Sequence, residues 1–199
     1  SVPTYQNSKE NTMTRSSFIM KVTFSLCLFL AFIGHVFAEG STFYKVTNII
    51  TGEERLEEHQ HVGDKITVMN AHTKKLLYTS ECFSERSLCI ARDEFAETTI
   101  NHIDKIANLK NRETIRSLVY VKPKNERSLV IIGVTITMVH TDNKKWITVK
   151  SLDNTNYINT LIGPSGDYRK PDYTEHIIVN PENGLPLSHE ISVRTDIEI

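Results

Sequence analysis

With 199 residues, 39% of them apolar and 24% charged, the chain has the make-up of a folded protein with room for one core, not of a disordered segment. Its formal charge of −1 lacks the basic excess that nucleic-acid binders carry, which sets that class of partner aside.

Residues 1–12 precede Met13, show no apolar pattern and look like a translated untranslated leader. Either Met13 or Met20 serves as initiator. The apolar run from Val22 to Ile33 follows Lys21 and has the length of a signal-peptide core, too short to span a bilayer. Val36-Phe37-Ala38 suits a signal peptidase, so cleavage is expected after Ala38. On this reading residues 1–38 are removed, and residues 39–199 form a single secreted, β-rich domain. Three of the 23 basic and one of the 24 acidic residues lie before Glu39, which leaves a mildly acidic product of charge −3. No second apolar run follows, so no membrane anchor is expected in the mature form, and no N-x-[ST] acceptor predicts an N-glycan.

Phe43 to Ile50 alternates as a first strand, closed by the turn Thr51-Gly52-Glu53. Glu53, Glu54, Glu57 and Glu58 then run into His59 and His61. The two histidines would share one face of a strand as a metal pair, but no third ligand has a fixed spacing to them. The expectation is a solvated loop or frayed helical turn with no metal. Lys65–Met69 and Leu76–Thr79 make a hairpin candidate.

Cys27 leaves with the signal segment, so Cys82 and Cys89 remain as an even pair in an oxidising compartment and are expected to form a disulfide. A reactive thiol would need a positioned histidine, and none is evident.

Phe95, Ile100, Ile103, Ile106, Ala107 and Leu109 recur at steps of three and four, which predicts an amphipathic helix over Asp93–Lys110 lying on a sheet. His102 and Asp104 within it point in different directions and belong to the solvated surface. Ile115–Val121 is a further strand ended by Pro123.

Val130, Ile132, Val134, Ile136 and Met138 then occupy every second position, followed by the polar Asp142-Asn143-Lys144-Lys145 and the strand-like Trp146–Val149. A four-residue loop would pair Thr141 with Trp146 and Met138 with Val149, continuing one apolar face across the hairpin. Beyond it, Gly163-Pro164-Ser165-Gly166-Asp167 falls short of both the nucleophile elbow and the phosphate loop, and is expected to be a loop. Ile177–Val179 is a short strand and Pro181–Gly184 a turn. Ile191, Val193, Ile197 and Ile199 alternate with Glu190, Ser192, Arg194, Asp196 and Glu198, predicting a half-buried strand with the apolar set inward.

Together these elements predict an α+β domain, mainly antiparallel sheet of seven or eight strands with one helix packed on it. The order hairpin, cysteine, helix between Val62 and Lys110 resembles the layout of the BRICHOS domain. Both cysteines precede the helix here, whereas that family's pair straddles it, so no residue is carried over.

No catalytic, cofactor or metal constellation stands out, and an enzyme is not expected. The leading expectation is a secreted protein that binds an extracellular partner, with a venom or salivary effector as one subtype. The alternative is a carrier of a small apolar ligand inside the sheet. A secreted hydrolase comes third, requiring a histidine and a carboxylate gathered near Ser165.

Overall fold

The computed structural model describes residues 40–141, 144–152, 157–162, 172–180 and 182–196. The expected leader and signal segment, the Gly163–Asp167 loop, Ile197 and Ile199 lie outside them.

The chain is an up-and-down antiparallel barrel. Its strands are β1 (Gly40–Asn48), β2 (Glu54–Val62), β3 (Lys65–Asn70), β4 (Leu76–Phe83), β5 (Leu88–Asp93), β6 (Ala96–Asn101), β7 (Thr114–Pro123), β8 (Val130–Thr141), β9 (Lys144–Ser151), β10 (Tyr157–Ile162), β11 (Tyr173–Val179) and β12 (Pro186–Thr195). Each pairs with its neighbours in sequence, and β1 also pairs with β12, so the sheet closes without a free edge. The β-rich, antiparallel class is as expected; the strands are more numerous because seven or eight would not complete the ring seen here.

Asp93–Lys110 is not one helix. Ala96, Thr98 and Ile100 alternate inward as β6, and the side-chain carboxylate of Asp93 turns the chain by accepting the amides of Phe95 and Ala96 at 2.7 and 2.8 Å. Only Ile103–Ala107 is helical, here named α1. Its Ile103 and Ile106, with Leu109, are buried against Cys89, Ile100 and Val119. The helical spacing of these isoleucines is real, but the helix plugs one end of the barrel instead of lying on a sheet. The layout that resembled BRICHOS goes with the long helix.

The β8–β9 hairpin forms in another register. Thr141 pairs with Lys144, Val139 with Trp146 and Met138 with Ile147, with Asp142 and Asn143 outside the described residues. The shift relative to the four-residue reading is two positions, which preserves parity, so Val134, Ile136 and Met138 still face the core with Ile147 and Val149.

Strand direction alternates, so each barrel end has its own turns. The end holding α1 also carries the β2–β3 and β4–β5 turns. The other end carries the β1–β2, β3–β4, β5–β6, β7–β8 and β11–β12 connections and has no helix among the described residues.

Candidate binding cavity

The interior divides into two sides. Along β4 to β9 it is a continuous apolar cluster that includes Cys82, Cys89, Ile100, Val121, Ile136 and Val149. Cys82 and Cys89 stand directly opposite across β4–β5, Cα atoms 4.1 Å apart, with sulfurs at disulfide-bonding distance.

The side formed by β1, β2, β11 and β12 sets buried polar and charged residues among apolar ones such as Val46 and Ile178. In an extended chain Arg55, Glu57, His59 and His61 share one face, and pairing of Tyr44 with Glu57 and Val46 with Arg55 turns that face inward. Glu57 is 1% exposed, and His59 and His61 are buried beside it. This corrects the solvated loop expected for Glu53–His61. Apolar periodicity is blind to a strand whose inward set is itself charged; the sequence signal was the period-two run of chemistry-bearing residues.

β12 is reversed in the same way. Val46 pairs with Ser192 and Asn48 with Glu190, so these polar residues take the inward parity, while Val193 is 45% exposed on the outer wall and Arg194 reaches the surface to pair with Asp172. The apolar set was expected inward; what overrides it is the ion pair that Glu190 makes inside.

That ion pair centres on Arg55. Its Nε donates to Glu57 Oε1 at 2.7 Å, and its Nη1 and Nη2 donate to Glu190 Oε1 and Oε2 at 2.7 and 3.0 Å. The second oxygen of Glu57 lies 3.0 Å from His59 Nε2. The His59 ring leans on Tyr44, centroids 4.4 Å apart. Burial pushes the Glu57 carboxyl up, but the hydrogen bonds and charges of His59 and Arg55 outweigh it, and the group stays below the ordinary carboxylate range. Burial likewise favours the neutral form of Arg55, and its two carboxylates overcome that, holding the guanidinium charged. His176, paired in register with Glu190, is the contrasting case. Burial lowers it to about 4, only partly opposed by Glu190, so the ring is neutral near pH 7.

Above this network, at the end away from α1, lies a cavity of about 220 Å³. Arg55 and Glu57 form one wall; Leu77, Tyr78, Ala91, Ala96 and Thr98 form the others, and the Asp93–Phe95 turn stands at the rim. The lining thus joins apolar side chains to two charged groups, Arg55 with Glu57 on one side and Arg92, Asp93 and Glu94 at the rim. Among the described residues no group of three His, Cys, Asp or Glu is placed to hold a metal ion. His102 and Asp104 are exposed at the opposite end.

Comparisons with protein-family models, curated proteins and solved structures give no match, so the geometry of the cavity is what speaks for its use.

Proposed function

We propose that the protein is an exported, non-catalytic carrier of a small ligand, held in the barrel at the end opposite α1. The observation that carries this is the cavity between Tyr78, Ala91, Thr98 and the Arg55–Glu57 pair in a barrel whose other end is plugged. Concave, mostly apolar sites with a few fixed polar groups are where small molecules bind.

The size limits the ligand. A cavity of about 150 Å³ accepts benzene, so about 220 Å³ suits a single-ring or short-chain compound. An amphipathic ligand suits the lining best, its polar end against the Arg55–Glu57 wall and its apolar body against Leu77, Tyr78, Ala91 and Ala96. Export is supported by the apolar run Val22–Ile33 and by a cysteine pair suited to an oxidising compartment.

Native mass spectrometry of the protein recovered from expressing cells, before and after soaking with single-ring amphiphiles, tests the reading. A retained small mass that Ala91→Leu and Thr98→Phe both displace is expected. Failure of every compound to bind or to raise the melting temperature would remove the carrier reading.

A further inference from the structure

Leu118 and Ile131 stand on the outer wall at 43% and 57% exposure, on the paired strands β7 and β8. Leu118 lies opposite Gly133, whose missing side chain leaves room for Leu152, itself 55% exposed and tied by its amide to the Gly133 carbonyl at 2.8 Å. Leu129, 55% exposed, extends this patch toward the β7–β8 turn. Four large aliphatic side chains on one stretch of wall exceed the scattered exposure that needs no explanation.

The surroundings are basic. Arg116 and Lys122 flank Leu118 on β7, Lys150 lies across β8 opposite Thr135, and Lys124 and Arg127 stand in the turn. All five are exposed, and none makes an ion pair with a described residue, although the chain as a whole is slightly acidic. Among the described residues, Glu97 lies opposite Lys122 but is bonded to Arg92, and Glu126 in the turn accepts from Ser128.

We propose that this wall docks on an anionic lipid surface, with Leu118, Leu129, Ile131 and Leu152 entering the headgroup layer and the five cations meeting lipid phosphates and carboxylates. A lipid surface fits better than an acidic protein. The aliphatic groups stand out from a barrel wall, as side chains that enter a headgroup layer do. Three of the five cations are lysines, which are depleted at protein interfaces but reach headgroups on flexible stems. Each basic residue near an anionic bilayer contributes about fivefold in affinity, so a cluster of this size suffices for reversible binding. The docking end is the cavity end: the Lys124 amide donates to the Phe95 carbonyl at 2.8 Å, which joins the patch to the cavity rim.

Co-sedimentation with phosphatidylcholine vesicles, with and without phosphatidylserine, tests this on the full chain. Every variant shares residues 1–39, so a difference between variants belongs to the wall. Binding only to the phosphatidylserine vesicles is expected, weakened by salt and lowered about 25-fold by Lys122→Gln with Lys150→Gln. Leu118→Ser with Ile131→Ser is expected to lower it at least about tenfold. Unchanged circular dichroism and melting would certify both variants as folded, which their exposed positions favour. Absence of vesicle binding at low salt, or equal binding by wild type and both folded variants, would overturn the proposal. So would retention on heparin with vesicle binding indifferent to Leu118→Ser and Ile131→Ser, which would mark a polyanion site instead.

Discussion

Arg55 and Glu190 lie 135 positions apart in sequence, on the two strands that flank β1, and meet inside the barrel through two parallel hydrogen bonds. The pair bridges the seam where the last strand closes on the first. Removing the guanidinium would leave Glu57 and Glu190 as neighbouring carboxylates with little water to compensate. Arg55→Ala should therefore destabilise by about 3 kcal/mol, at the low end for a broken buried pair because Arg55 keeps 31% of its side-chain exposure. Arg55→Lys keeps the charge and loses the fork, for a cost of about 1–2 kcal/mol. Urea unfolding of the two variants would check the order; equal stability of Arg55→Ala and wild type would mean that the seam is held by the backbone ladder alone.

How much of this was legible depended on which residues a strand turns inward. On β8 the inward set is aliphatic, and parity alone assigned Val134, Ile136 and Met138 to the core even though the loop was misjudged by two residues. On β2 and β12 the inward set is polar, and the same rule pointed the wrong way or nowhere. Between Asp93 and Lys110 the helical spacing of Ile100, Ile103 and Ile106 ran through a strand into a short helix, because both elements bury their isoleucines in one cluster. Closure itself was beyond reach, since the pairing of β1 with β12 joins the two ends of the described chain and no local pattern encodes it. The cavity depended on all three.

Acid should weaken the fold in two steps. His176 has a folded value of about 4 against 6.5, so on lowering the pH the unfolded chain takes the proton first. The contribution of this depressed group is complete above pH 6.5 and is lost progressively as the pH falls toward about 4, amounting to about 3 kcal/mol. Glu58 is held at about 2 against 4.5 by hydrogen bonds from Lys74, Gln60 and Ser41. Its contribution is present above pH 4.5 and is lost between there and about 2. His176→Leu should flatten stability between pH 6.5 and 4 and leave the lower step in place. A variant whose stability still falls by the wild-type amount across the upper window would remove His176 as its cause.

The cysteine pair closes a short loop, Cys82 and Cys89 being seven positions apart. The chain-entropy relation gives about 2.5 kcal/mol for such a bridge. Cys82→Ala with Cys89→Ala should lower unfolding stability by about that amount, with a further loss from the volume removed at two buried positions. Intact mass before and after reduction reports the bond independently. Free thiols in protein recovered from an oxidising compartment would refute the pairing.

Gly133 is the one position on β8 where the outer wall is left bare. A Cβ there would come 2.7 Å from Leu152 Cδ1, which by itself forbids the substitution as the atoms stand. What decides the outcome is that the obstacle is the tip of an exposed leucine and not backbone, so rotation of Leu152 can relieve it. The left-handed region is not required at Gly133, and alanine also restricts the unfolded chain. Gly133→Ala should thus be neutral or stabilising by up to about 0.5 kcal/mol. Gly52, with φ of +75°, has open space around it but a backbone that alanine resists, and Gly52→Ala should cost about 1 kcal/mol despite the room. A loss above about 2 kcal/mol in Gly133→Ala, measured by urea unfolding beside Gly52→Ala, would show that Leu152 is fixed in place. It would then be part of the wall's structure and not a side chain free to enter a lipid surface.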